Sequence, residues 1–244
     1  MKLTKIIASA FIVLATSVST FAQTADEIVA KHIEAIGGAD KWNAVKSLEM
    51  NMKTSVQGMD VEIKSTVLTG KALKSTVSVM GQEMVTAVEG ETGWMNAPAM
   101  MGGTGEPQDM PGALVKETRK QLEVGGALLN YKQKGTTLEL LGKEKLDGAE
   151  VYKLKAVEKN GETTTYYISS TNYYTLKTSG KVSVQGKESD VDVSYSNFKQ
   201  VDGLTFPFTR EQPNPQMGGM MTIETDSIVL NPKIDETIFK KPVK

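Results

Sequence analysis

The chain has 244 residues, with 28 basic and 29 acidic side chains, one histidine and no cysteine. Its near-neutral charge and its two arginines argue against a nucleic-acid partner, which requires clustered Lys and Arg. The lack of cysteine excludes disulfides, thiolate metal sites and thiol nucleophiles. With His32 alone, multi-histidine metal sites and Ser-His or Cys-His catalysis are hard to build. We therefore expect a protein that is not an enzyme and that holds no metal or other cofactor.

The first 22 residues have the features of an export signal. Lys2 and Lys5 precede an apolar run over residues 6–18, and small side chains stand before a cleavage point after Ala22. The run is too short for a bilayer span, which needs roughly 20 apolar residues. We expect a signal peptide over residues 1–22, a periplasmic mature chain without a transmembrane segment, and a single domain over residues 23–244.

A capping box predicts a helix at the start of the mature chain. Thr24 and Glu27 have the Thr-x-x-Glu spacing in which each side chain satisfies a free backbone amide of the first turn. The glycine pair at 37–38 supplies a left-handed stop. A short turn should then place Trp42 and Val45 beside the helix. The predicted apolar face consists of Ile28, Val29, His32, Ile33 and Ile36.

From Ser47 onward the apolar period changes to two, which is typical of strands with one buried face. Glycine-containing turns separate the segments, as in a series of hairpins. About a dozen antiparallel strands are predicted, and a sheet of that size must curl or split to bury a face. A curved sheet with helices against its concave side fits best, and two packed sheets remain an alternative. The predicted strands begin near Ser47, Val61, Leu73, Glu83, Thr92, Thr136, Glu150, Thr163, Tyr173, Lys187, Leu204 and Met220.

One segment interrupts the strands. Residues 97–112 carry three Pro, four Gly and three Met, and this composition predicts a loop without a strand. Pro111 then opens a helix to about Val124, with Leu114, Thr118 and Leu122 on its apolar side. A short helical turn is expected over residues 235–239.

Methionine is the most distinctive component, with clusters around residues 95–110 and 217–221 and further positions on the early strands. Because its side chain is flexible and polarizable, methionine suits a cavity for lipid tails or another apolar ligand. Thioethers are also soft ligands, so a Cu(I) site is a second hypothesis. A third is an ordinary core with a loop that serves as a non-enzymatic interaction module.

Short signatures along the whole mature chain resemble a known family. They include residues 33–38 (IEAIGG), 93–94 (GW), 142–144 (GKE) with 151–154 (VYKL), 166–168 (YYI), 201–207 (VDGLTFP) and 238–242 (IFKKP). The chain resembles the outer-membrane lipoprotein-sorting proteins of the LolA/LolB-like superfamily. In one respect it departs from them, since the best-known carriers latch the lid with an early-strand arginine and none precedes Arg119 here.

The resemblance implies an incomplete, strongly curved antiparallel β-barrel whose N-terminal and inserted helices cover an apolar concave face. It also implies a periplasmic carrier that shields lipoprotein acyl chains, or other lipids, between an inner-membrane donor and an outer-membrane acceptor. Shielding is needed because each exposed methylene costs about 0.8 kcal/mol in water. The residues expected to form the cavity and its lid are Met50, Met52, Ile63, Val77, Met84, Trp94, Met95, Met100, Met101, Met110, Leu114, Leu122, Tyr166, Ile168, Met220 and Met221.

Overall fold

The computed structural model describes residues 23–184, 187–214 and 218–242, so the predicted signal peptide and its cleavage point lie outside the described residues. Among the described residues, no helix has both the length and the apolar character needed to cross a bilayer.

The N-terminal helix forms as the capping box predicts. Helix α1 covers Ala25–Ala35, the Thr24 hydroxyl accepts a hydrogen bond from the Glu27 amide, and the Glu27 carboxylate accepts one from the Thr24 amide. Its apolar face is buried, with Ile33 half-buried. A second short helix, α2, covers Ala39–Asn43 and buries Trp42 next to Val45. The predicted face and its neighbours are therefore confirmed.

All 13 strands of the described residues belong to one antiparallel sheet, and its two edge strands do not pair with each other. The strand order is β6-β5-β4-β3-β2-β1-β13-β12-β11-β10-β9-β8-β7. Strands consecutive in sequence are adjacent, except that β6 and β7 lie at the two edges, and the first and last strands, β1 and β13, pair in the middle. The prediction of a mainly β, curved and incomplete barrel is confirmed. The strands are β1 Ser47–Val56, β2 Met59–Leu68, β3 Ala72–Val79, β4 Gln82–Glu89, β5 Thr92–Asn96, β6 Gln108–Asp109, β7 Thr137–Leu146, β8 Ala149–Val157, β9 Thr163–Ser169, β10 Thr175–Val184, β11 Lys187–Val201, β12 Leu204–Pro213 and β13 Met220–Leu230.

The helices pack on one face of this sheet, which we call the inner face. Helix α1 covers Leu154 and Ile168 on strands β8 and β9, and α2 contributes Trp42 to a cluster with Phe206 on β12. The rings of Trp42 and Phe206 meet edge to face with centroids 4.9 Å apart. A third helix, α3, covers Gly112–Arg119 and packs over β1–β4, and a fourth, α4, covers Tyr131–Lys134. The inner face therefore has a helical cover over both halves of the sheet.

The segment after β5 differs from its prediction in two respects. Residues 97–112 do contain a short strand, since Gln108 and Asp109 pair with β5. The following helix buries Val115, Thr118 and Leu122, whereas Leu114 is 42% exposed. Positions 115, 118 and 122 have the i, i+3, i+7 spacing of one helical face, which Leu122 keeps although it lies in the 3₁₀ turn Lys120–Leu122 that follows α3. The predicted placement of Leu114 on the inner side is therefore wrong.

The C-terminal segment, residues 231–242, packs on the opposite, outer face of the early strands. Its predicted helical turn is confirmed as a 3₁₀ turn over Glu236–Phe239. Phe239 is 1% exposed, and its carbonyl accepts a hydrogen bond of 2.7 Å from Trp94 Nε1. The Ser47 hydroxyl donates to the Pro232 carbonyl at 2.7 Å. This segment, hereafter the C-terminal strap, therefore shields the outer face of β1–β5 from water.

Candidate ligand-binding groove

A groove of about 460 Å³ lies on the inner face, between the helical cover and the central strands. Volumes of a few hundred Å³ are typical of small-molecule sites. Most of the lining is apolar or aromatic, with hydroxyl groups of serine and threonine between. The main lining residues are His32, Ile36, Trp42, Leu48, Met50, Ser65, Val67, Leu73, Val124, Leu128, Tyr166, Thr178, Tyr195, Phe198, Phe206 and Pro207.

The strand register brings four of the predicted residues together in one row. Met52 lies opposite Ile63, Ile63 opposite Val77, and Val77 opposite Met84. Directly opposed residues point to the same face of a sheet, and here that face is the inner one. All four side chains are half-buried. They form an apolar strip that continues the inner face beyond the groove.

The neighbouring row has small side chains between two methionines. Met50 lies opposite Ser65, followed by Ser75, Thr86 and Met95. The three residues between the methionines have small side chains, so the floor recedes between two flexible apolar groups. Met50 lines the groove itself, and Met95 is half-buried at the far end of the same row.

Two predicted residues on β9 have different surroundings. Tyr166 lines the groove, and burial raises the pKa of its phenol well above the usual value, so the ring is neutral. Ile168 is fully buried beneath α1. Whether these residues bind a lipid stays a prediction.

The remaining predicted residues do not line the groove. Trp94 lies on the outer face beneath the C-terminal strap, because Gly93 occupies the inner position opposite Val88. Met110 and Leu122 belong to the closed cluster under α3. Among the others, Met100 is 72% and Met220 is 63% exposed, while Met101 and Met221 are half-buried. The prediction that Trp94 lines the cavity was wrong. Strand alternation shows which residues share a face, but it does not show which face a distant segment covers.

The methionine clusters thus occupy several environments, and Met217 lies outside the described residues. Within the described ranges, no three histidine, aspartate or glutamate side chains come together in an arrangement that could hold a metal ion.

The sequence did not indicate the residues of β10, β11 and β12 that form the far wall of the groove. Phe206 and Phe208 project from β12 into the core, and Tyr195 and Thr178 on β11 and β10 join Oη to Oγ1 at 3.2 Å. The alternation of Leu204, Phe206 and Phe208 with polar or small residues could have indicated the first two.

His32 is the titratable side chain of α1 that faces the groove. It is buried, and its Nδ1 lies 2.8 Å from the Tyr173 carbonyl oxygen, so the neutral ring donates from Nδ1. Burial lowers the pKa of His32 below its ordinary value, and the hydrogen bond to Tyr173 opposes this only in part. The imidazole is therefore neutral at pH 7.

The lowered pKa of His32 predicts a pH-dependent stability. The unfolded chain binds a proton below about pH 6.5 while the folded chain does not, so the free energy of unfolding should fall as pH drops below 6.5 toward the lowered folded pKa. The slope for one proton is at most about 1.4 kcal/mol per pH unit. Urea unfolding of the wild type and His32→Gln between pH 7.5 and 5 measures it. Equal pH slopes in the two proteins would contradict the assignment.

No protein-family model matches the sequence, and no curated protein matches it either. Solved structures do match. A DUF1329 family protein from Desulfovibrio piger has a TM-score of 0.58 at 12% identity, over 90% of this chain and 98% of the other. A LolA superfamily protein from Nitrosomonas europaea has a TM-score of 0.56 at 15% identity, over 90% and 99% of the two chains. This chain has the LolA-like fold.

A third structure with the LolA-like fold is a domain assigned to outer-membrane lipoprotein sorting in Vibrio parahaemolyticus. Its TM-score is 0.53 at 16% identity, and the match covers 88% of this chain and 95% of the other. At these identities the likeness concerns the fold. The family resemblance that the short sequence signatures suggested therefore agrees with the structure at the level of the LolA-like fold.

Proposed function

We propose that the protein is a non-enzymatic carrier that shields acyl chains of lipids or lipoproteins in the periplasm, on their way to the outer membrane. The observation that carries this proposal is the apolar groove between the sheet and its helical cover. The lipoprotein-sorting assignment of one structural neighbour adds support. Cleavage after Ala22, an inner-membrane donor and an outer-membrane acceptor belong to the same proposal.

The groove has the physical properties that such a cargo requires. An acyl chain in water costs about 0.8 kcal/mol per methylene, so a long chain gains many kcal/mol from apolar walls. Met50 and the Met52 row can adjust to chains of different shape because methionine has several rotatable bonds. The serine and threonine side chains between the methionines are small and uncharged, so they leave space for an acyl chain.

The helical cover gives a route for entry. Helix α3 contributes Val115 to the closed cluster and the 3₁₀ turn that follows contributes Leu122, whose carbonyl accepts a 3.0 Å hydrogen bond from the Gly70 amide. Few apolar groups hold this short helix, so its displacement costs little compared with unfolding of the sheet. The helix can therefore open to admit an acyl chain and close again over the bound chain.

A groove-filling variant tests the proposal. Ser65 is buried on the floor between Met50 and Ser75, so Ser65→Phe should occupy the groove and weaken binding of a fluorescent fatty-acid analogue at least tenfold. Ser78→Phe adds the same ring on the outer face of β3 and should leave binding unchanged. Circular dichroism controls for folding of both variants.

Native mass spectrometry of the protein from its host gives an independent measurement, with co-purified acylated species as the expected result. Absence of bound lipid together with no affinity for the analogue would overturn the carrier proposal and favour an interaction module instead.

A further inference from the structure

Arg210 lies on the inner face and carries a positive charge, which the shielding of apolar chains does not require. Strand alternation along β12 places Leu204, Phe206 and Phe208 in the core, and Arg210 follows on the same face. Its direct cross-strand neighbours are Tyr195 on β11, which lines the groove, and Ile223 on β13, which is buried. Arg210 therefore stands at the edge of the groove, next to apolar and aromatic groups.

The charge of Arg210 has no counterion there. Among the residues that the structure describes, no carboxylate lies within ion-pair distance of its guanidinium, and the neighbouring electrostatic partner is the Tyr195 phenol. Arg210 is exposed to solvent on its open side, while the atoms packed around it lower the pKa of the guanidinium. The other arginine, Arg119, is paired with Glu91 on the surface.

A cation in such surroundings calls for an anionic partner. Arg210 has no counterion among the described residues, and a guanidinium forms strong, bidentate hydrogen bonds with carboxylates and phosphates. We propose that Arg210 binds the anionic head group of an amphiphile whose acyl chain lies in the groove. The ligand class is thus a single-chain or diacyl lipid with a carboxylate or phosphodiester, rather than a neutral acylglycerol.

The strand geometry fits a ligand of this kind. Arg210 is six positions after Leu204, which is roughly 20 Å along the strand at about 3.3 Å per residue. An extended acyl chain that lies against Phe206 and Tyr195, which line the groove, can therefore bring its head group to the guanidinium. The Tyr195 and Thr178 hydroxyls hydrogen-bond to each other at 3.2 Å, and the one that accepts this bond can donate its proton to the second oxygen of the head group.

The inference rests on the proposed function. Ligands with the same chain but with or without a charge distinguish a failure of the inference from a failure of the proposed function. Isothermal titration of the purified protein compares oleate, oleoyl-lysophosphatidylglycerol, oleyl alcohol with the same chain but no charge, and inorganic phosphate without a chain. We expect the wild type to bind the two anionic lipids about tenfold more tightly than the alcohol. Arg210→Gln should remove that preference without changing alcohol binding.

Matched variants control for general charge and for folding. Lys53→Gln removes a cation on the outer face of β1, away from the groove, and should leave all affinities unchanged. Arg210→Lys keeps the charge and should retain part of the preference, while unchanged alcohol binding reports an intact groove. If Arg210→Gln loses affinity for oleate alone, the site binds carboxylates. If it loses affinity equally for both anionic lipids, the site binds either head group.

Three results would overturn the inference. Equal affinity for oleate and oleyl alcohol in the wild type would show that Arg210 recognises no head group, while the carrier proposal would stand. Binding of inorganic phosphate as tight as that of the lipids would show a free-anion site. Failure of every lipid to bind would remove the carrier proposal together with the inference.

Discussion

Replacement of Phe239 by alanine should lower the free energy of unfolding by about 3–5 kcal/mol, the range for truncating a buried aromatic side chain. Phe239 is 1% exposed in the C-terminal strap, where it lies close to the buried Trp94. Truncation leaves a cavity between the strap and the early strands. Because these strands are held by pairing on both sides, the sheet cannot easily move to fill the cavity. Urea unfolding followed by tryptophan fluorescence measures the effect.

Thr237→Ala is the matched control for that variant. Thr237 lies in the same 3₁₀ turn but is exposed, so its truncation should change stability by no more than about 0.5 kcal/mol. Trp94→Phe should fall between the two, because it leaves the Phe239 carbonyl without its donor, at a cost of about 1–3 kcal/mol. A loss below about 1 kcal/mol for Phe239→Ala would show that the strap adds little to stability.

The second large effect is expected from Leu122→Ser, which should loosen the cover over the inner face. Leu122 is 4% exposed and packs with Val115 and Leu73. Loss of its apolar side chain and burial of a hydroxyl should destabilise residues 112–122 by about 2–5 kcal/mol. Hydrogen exchange of these residues should therefore accelerate roughly 30-fold or more, since each 1.4 kcal/mol is tenfold, while the central strands keep their protection.

Leu114→Ser provides the comparison within the same helix. Leu114 is 42% exposed and outside the closed cluster, so its replacement should leave exchange within about twofold of the wild type. Addition of oleate should protect residues 112–122 in the wild type if the helix closes over bound lipid. Equal hydrogen exchange of residues 112–122 in Leu114→Ser and Leu122→Ser would contradict the placement of Leu122, rather than Leu114, on the buried side of this segment.

Local sequence signals predicted the elements well where neighbouring residues decide the conformation. The capping box of α1 needs only Thr24 and Glu27 on successive turns, and it formed as predicted. The phase of β1, with Met50 and Met52 inward and Lys53 outward, follows from the alternation of the strand itself. Most hairpins could be predicted for the same reason, because glycine and asparagine accept the turn conformations.

The candidate groove was predictable only in part. Met50 and Tyr166 line the groove and were predicted as cavity residues, and so were the four members of the adjoining row from Met52 to Met84, which required just the register of consecutive hairpins. The far wall and Arg210 were not, because β12 reaches the early strands through β13, about 170 residues after β1 in the chain. No local pattern specifies a pairing across that separation.

By itself, the sequence determined which residues of each strand share a face, where α1 begins and ends, and that the strands follow one another as antiparallel hairpins. Only the tertiary structure decided which face the helices cover, that Trp94 points toward the C-terminal strap, and that Leu122 rather than Leu114 lies under α3. Periodicity arises from the backbone geometry of a single element. The choice of covered face depends on apolar area buried between segments far apart in the chain, which no single segment encodes.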